Sequence, residues 1–271
     1  RGRPAGRAVG MRARTAAGAL RALALIALIG ALSCAGLVAS VDARARSAAP
    51  AAGGSVQKAS PPDPYGFEVI DWAAWEEANS DMIAWIQVPG TDVSHPVMAG
   101  SSDDPTYYLG HDWEGRDSFA GALFLDAECA GDLDAGAAPI YGHHISGTTS
   151  MFTPLERMTE AAWAQEHSTV LIQTKQWRRV YEVSHVRVVN AAEPVKFCVF
   201  PSAAAFGEWY ESDRAAADVA LPVGATPDRA VQLVTCSYST YRNERTVITC
   251  IPRVELPPAG EGSAAKHASG A

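Results

Sequence analysis

Cys236 and His143 stand where reactive groups would have to be. Cys236 follows Val231-Gln232-Leu233-Val234-Thr235 and precedes Ser237-Tyr238-Ser239-Thr240, so a buried strand ends there and a polar loop begins. Strand ends beside loops are where rigid scaffolds present chemistry. A nucleophilic cysteine needs a base or cation to hold its thiolate and a donor for the oxyanion that follows attack. Arg245 lies nine residues on, at the start of the run Thr246–Val254. If the two runs pair as a hairpin, Cys236 and Arg245 face each other across its mouth. The candidate base is in Tyr141-Gly142-His143-His144, where the apolar Pro139-Ile140-Tyr141 meets a Gly/Ser/Thr loop. Cysteine as nucleophile, histidine as general acid–base and arginine as fixed donor describe acyl transfer through a thioester. Taken singly, each also has a packing or turn explanation.

The other cysteines and histidines have plainer readings. Cys34 falls in an apolar run. Cys129 sits in a Gly/Asp/Ala loop, Cys198 and Cys250 in apolar surroundings, and all three read as small buried side chains. No pair has C-x-x-C spacing, which argues against a zinc site. His95, His111, His167 and His185 read as core or surface, and His144 as a loop neighbour. Asp103-Asp104, Asp132 and Asp134 read as solvated turns rather than calcium ligands. Neither metal nor cofactor is expected. Thr235, beside the thiol, can orient a substrate or serve as a β-branched strand residue.

The elements that must position these groups are short. Phe67–Ser80 places Ile70, Ala73, Ala74 and Ala78 at helical spacing, with Trp72 and Trp75 nearby, and predicts an amphipathic helix. Strands are expected at Ala84–Val88 (before the turn Pro89-Gly90-Thr91), Ser94–Met98, Ala122–Leu125, Ala138–Tyr141, Thr169–Thr174, Val180–Val189, Val231–Thr235 and Thr246–Val254, with helices at Met151–Glu166 and Ala203–Ser212. Many short strands with inserted helices point to a small mixed β-barrel.

Charge separates this body from its N-terminus. Of the 271 residues, 1–21 carry six arginines and no acid, whereas the rest hold 16 basic and 30 acidic groups. A body that acidic repels phosphate backbones, which excludes nucleic acid as a partner. Ala22–Val41 is twenty residues without a charge, long enough as a helix to cross the roughly 30 Å hydrocarbon core. Leading arginines put the N-terminus in the cytoplasm. The expected organisation is a basic cytoplasmic segment (1–21), a transmembrane signal anchor (22–41), a flexible Ala/Ser/Pro/Gly linker (42–64), an extracellular domain (65–256) and a disordered tail (257–271). Cleavage after Val38-Ala39-Ser40 is the alternative to an anchor.

Tyr141-Gly142-His143, Leu233-Val234-Thr235-Cys236 and Arg245, in that order, resemble the sortases, cysteine transpeptidases of Gram-positive cell surfaces. The likeness extends to Asp81–Thr91 with His95-Pro96-Val97, to Ser118–Asp126, and to Ser150-Met151-Phe152 with Leu155. It implies a mainly β fold: a closed barrel of about eight strands with an N-terminal helix and inserted helices, preceded by one transmembrane helix. It further implies that Cys236 attacks a threonine carbonyl in the C-terminal sorting signal of a surface protein. His143 then protonates the leaving amine, and Arg245 holds the oxyanion or substrate backbone. A peptidoglycan-precursor amine takes the acyl group. The leading helix and the Phe200–Tyr210 insertion look most like class B. Alternatives are a class C-like pilin polymerase, for which Asp63-Pro64-Tyr65 would be a lid, or another cell-wall cysteine peptidase or L,D-transpeptidase. Gln232 departs from the Thr-Leu-x-Thr-Cys pattern, and Arg242 is a rival for the arginine role.

Overall fold

The computed structural model describes residues 63–193, 198–224, 226–237 and 243–259. The expected basic segment, the Ala22–Val41 anchor, most of the linker, Arg242 and the tail beyond residue 259 lie outside the described residues. Among the described residues no helix is long and apolar enough to cross a membrane.

Nine strands run in chain order: β1 Met82–Gln87, β2 Ser94–Ala99, β3 Leu123–Leu125, β4 Ala137–Tyr141, β5 Thr169–Gln173, β6 Arg178–Asn190, β7 Val219–Ala220, β8 Ala230–Ser237 and β9 Glu244–Leu256. Neighbours follow the order β5-β1-β2-β3-β4-β8-β9-β6-β7, and β6 also pairs with β5. Eight strands therefore close into a barrel, with β7 added along β6. Cross-strand partners Val97 and Leu123, Leu125 and Ile140, Ile140 and Leu233, and Leu233 and Ile248 are all fully buried. They line the inside, where burial of each such side chain contributes about 1.5–3 kcal/mol. His95 of β2 is buried too, and loss of water pushes its pKa down to about 4, so it stays neutral.

Helices cover the outside: α1 Trp72–Ala78, α2 Tyr107–Gly110, α3 Ala161–Glu166 and α4 Ala203–Ala215. α1 docks through Trp75, whose ring lies 5.6 Å from Trp85 and 4.7 Å from Trp113. It starts later than its apolar spacing predicts because the Asp71 carboxylate accepts from Ala74 N–H (3.0 Å) and caps it there. Phe67 meanwhile packs against Leu171 and Val180. The expected helix Met151–Glu166 is two pieces, a 3₁₀ segment Thr153–Thr159 and α3, separated by the extended Glu160. α4, inserted between β6 and β7, packs Phe206 and Tyr210 against Ala137, Ala230 and Ile251.

The reading of Cys129 and Cys198 as small buried side chains holds for their burial, and the two are joined. Cys129 and Cys198 are not separate buried thiols but a disulfide, with Cα atoms 5.1 Å apart and 69 positions apart in sequence. It joins the 3₁₀ turn Ala127–Cys129 after β3 to the segment before α4. Asp132 accepts from Asp134 N–H, Asp104 from Thr106, and Asp134 pairs with Arg179. Among the described residues no acidic, histidine or cysteine cluster suits a metal.

Candidate active site

Parallel strands end at the same rim. β4 and β8 are such a pair, in the register Tyr141 to Val234, and β9 starts from that rim antiparallel to β8, in the register Val234 to Val247. Tyr141, Val234 and Val247 pack together with Val189 on one face. Side chains two apart in a strand share a face. The same face therefore carries, one step further toward the rim, Cys236 beyond Val234 and Arg245 before Val247. His143 lies two residues past Tyr141, and the ladder continues there, since Gly142 N–H donates to the Val234 carbonyl (3.1 Å). Cys236 and Arg245 are direct cross-strand partners. Two strand pairings thus bring three residues separated by up to 102 positions to one rim.

Glycine is required at 142. A Cβ there would stand 2.4 Å from a Leu123 methyl and 2.6 Å from the Phe152 ring, so only glycine lets the chain pass between β3 and the following turn. Phe152 N–H then donates to the His143 carbonyl (3.1 Å) and fixes its backbone.

The His143 ring is half-exposed. Its Nε2 lies 2.8 Å from the Leu109 carbonyl. A carbonyl only accepts, so Nε2 carries the proton and Nδ1 is the basic nitrogen of the neutral ring. Phe119, 77% exposed, lies parallel to the imidazole at 6.4 Å. His144 points elsewhere. Its Nε2 pairs with Glu156 at 3.0 Å, as expected of a loop neighbour.

Cys236 and Cys250 are the free cysteines among the described residues. Cys236 is half-exposed; Cys250 is fully buried, and burial pushes its thiol far up. Thr235 alternates to the other face, opposite Thr246; both are buried and neither hydroxyl has a partner. Thr235 thus alternates to the face opposite Cys236. Gln232 is also buried, beside Thr249 (3.4 Å), a structural role that leaves the reacting groups alone. Asp63-Pro64-Tyr65 is bound through Asp63 to Arg178 (2.5 Å), which pairs with Leu256. That is the far end of β9, eleven residues or roughly 36 Å of strand from Arg245, and no place for a lid.

Sequence reading missed two groups. The Leu109 carbonyl leaves no side-chain signal. Asp126 does: it is a carboxylate placed directly after Leu123-Phe124-Leu125, and it accepts the Tyr141 hydroxyl at 3.1 Å. Burial first, then Asp126, raises the Tyr141 pKa, while the charge of Arg245 opposes the rise.

A sortase-domain family model matches residues 86–253. Sortase B of Staphylococcus aureus is 23% identical over 182 residues, spanning 66% of this chain and 73% of that protein. Sortase B of Listeria monocytogenes is 27% identical over 94 residues, 35% of this chain and 37% of its own length. Among solved structures, S. aureus sortase B complexed with MTSET superposes with a TM-score of 0.60 at 19% identity, over 68% of this chain and 78% of the other. Clostridium perfringens sortase B gives 0.60 at 21%, over 68% of this chain and all of the other. With a barrel of the same fold, a family match across most of the described strands, and these relatives, the chain belongs to the sortase family of cysteine transpeptidases and is class B-like within it.

Proposed function

We propose that the protein is a membrane-anchored, extracellular class B-like sortase that joins surface proteins to a cell-wall precursor. The observation that carries the reading is the shared face at the barrel rim, where register places Cys236 beside Arg245 and the Tyr141–Gly142 ladder leads into His143. The Cys236 thiolate attacks the threonine carbonyl of a C-terminal sorting signal. The tetrahedral oxyanion is met by Arg245, whose planar guanidinium offers several donors. Its collapse breaks the peptide bond, His143 gives a proton to the leaving amine, and a thioester remains. The acceptor, an amine of the peptidoglycan precursor, loses a proton to His143, attacks the thioester and expels the thiolate. Anchoring rests on the Ala22–Val41 run and its leading arginines. The Cys129–Cys198 disulfide suits the oxidising exterior.

The test supplies purified protein with threonine-containing sorting peptides, with and without triglycine. Ligated product is expected only with the amine, and both cleavage and ligation vanish in Cys236→Ala. Cleavage of several motifs without any ligation would make the protein a thiol hydrolase, and cleavage by Cys236→Ala would remove the nucleophile assignment. For the anchor, protease added to intact protoplasts should digest the domain. A fully protected domain would reverse the orientation, and a soluble mature chain beginning near Asp42 would replace the anchor with a cleaved signal.

A further inference from the structure

Phe119 keeps 77% of its surface in water. A lone apolar side chain at the surface is ordinary, but the backbone that carries this one is fixed against His143. Ser118 N–H donates to the Gly110 carbonyl (2.8 Å), Gly121 N–H to the Ser118 carbonyl (3.1 Å) and Ala122 N–H to the Tyr108 carbonyl (2.9 Å). Residues 118–121 are therefore a tight turn laid on the end of α2, with Phe119 at its second position. Gly121 has φ +60°, and a Cβ there would stand 2.5 Å from the Tyr108 carbonyl oxygen and 3.3 Å from the His143 ring. Glycine lets the turn close on the imidazole. The other end of the same segment supplies the Leu109 carbonyl that accepts from His143 Nε2–H (2.8 Å). Phe119 then lies parallel to the imidazole, with centroids 6.4 Å apart and planes inclined by 8°. One segment, residues 109–121, thus sets the tautomer of His143 and holds a flat apolar surface beside it.

We propose that Phe119 is a specificity residue for the acceptor: its ring forms one wall of the place where the incoming amine meets His143, and favours that amine over water. This rests on the transpeptidase reading above, in which His143 takes the proton of the incoming amine. In that step the amine nitrogen bonds to the thioester carbon, the carbon–sulfur bond breaks, the electron pair leaves with the thiolate and the proton passes to His143. Water in place of the amine gives a free acid by the same route. A flat apolar ring can cover the methylenes and amide planes of a peptide-bearing amine, whereas water gains nothing from it. A sorting peptide is held also by the residues before its threonine. A small amine has only the surroundings of His143, so the ring weighs more on the acceptor than on the acyl donor.

The test uses the full chain with a sorting peptide and triglycine, and reads two quantities. One is thioester formation in a single turnover, followed by mass spectrometry. The other is the ratio of ligated to hydrolysed product as triglycine is varied. Phe119→Ala is expected to lower that ratio about 10-fold at subsaturating triglycine, the scale of one aromatic contact, with thioester formation within about twofold of the wild type. Phe119→Tyr keeps the ring face and should stay within about twofold in both. Because the side chain is exposed, the urea midpoint of either variant should match that of the wild type. Equal losses in thioester formation and in ligation would put the ring's effect on His143 itself and overturn the proposal. A wild type that cleaves but never ligates removes the transpeptidase reading and this proposal together. A wild type that ligates, with the ratio unmoved in Phe119→Ala, removes the proposal alone.

Discussion

Two histidine clusters in this barrel invite comparison, and the better hydrogen-bonded one is not the one proposed to react. His185 of β6 is fully buried. Its Nε2 lies 2.9 Å from Asp213 and its Nδ1 3.0 Å from the Ser184 hydroxyl, which is 2.6 Å from the Tyr210 hydroxyl and accepts from Arg214 (2.9 Å). Arg187 donates to the same Asp213 at 2.6 Å. Burial pushes the Asp213 carboxyl up, but its bonds and charge interactions with His185 and Arg187 outweigh that and hold it below the usual carboxylate range. By residue type this is a serine–histidine–aspartate set, yet no substrate reaches it, and every polar group is spent fastening α4 to β6. At the rim, His143 keeps one ring nitrogen on a backbone carbonyl and is half-exposed, as Cys236 is. Access, rather than density of hydrogen bonds, separates the histidine proposed to react from the structural one here.

The cysteines repeat the contrast and give the largest expected effect. Cys236 is half-exposed and Cys250 fully buried in β9. A thiol at Cys250 meets an alkylating reagent only when the barrel unfolds. A stability of at least about 5 kcal/mol makes that opening rarer than one in about 10³. Iodoacetamide at neutral pH, with sites read by peptide mass spectrometry, should label Cys236 more than about 10³-fold faster. Comparable labelling of both would show that burial does not govern reactivity in this barrel.

The buried cluster is broken next. Asp213→Ala leaves His185 without its carboxylate and Arg187 with only Glu193 (2.8 Å). Breaking a buried pair by removing one partner costs about 3–5 kcal/mol, so urea unfolding should shift by that amount, while alkylation of Cys236 in the folded protein stays within about twofold. Lost Cys236 reactivity at full foldedness would mean that the two clusters are coupled and not merely alike.

What was legible from sequence divides along the same line. Strand runs such as Val231–Thr235 and Thr246–Val254 announce themselves because alternation and β-branched residues act locally, and their pairing as a hairpin needs only a short loop. Residue type at strand ends singled out His143, Cys236 and Arg245 as candidates, and the expected hairpin does set Cys236 opposite Arg245. Pairings between distant segments were not. The parallel contact of β4 with β8 and the Cys129–Cys198 bond join residues 69 to 93 positions apart, and nothing in their immediate neighbours encodes the partner. Phe67–Ser80 misled in a different way. Phe67 and Ile70 are buried, as helical spacing demands, but they reach the core from extended chain ahead of the Asp71 cap. Asp126 was passed over because a carboxylate after an apolar run looks like the start of a turn, which it also is.

The smallest effect is the one that discriminates most finely, between neighbours in one tetrapeptide. His143 and His144 lie on opposite sides of the chain, one bonded to the Leu109 carbonyl and the other to Glu156 of the 3₁₀ segment. Removing a general acid–base group costs at least about 10²-fold, so His143→Ala should lose that much in kcat. Its half-exposed ring should cost little stability, about 0.5 kcal/mol or less. His144→Ala removes one contact to a half-exposed glutamate, while Ile145 N–H, donating to the Thr153 hydroxyl (2.9 Å), still holds the turn. About 1 kcal/mol of stability and less than about threefold in kcat are expected. The two kcat values, measured on one peptide at a temperature where both variants are folded, decide the matter. If His144→Ala were the more damaged enzyme, the face shared by Tyr141, Val234 and Val247 would not be the face on which the reaction runs.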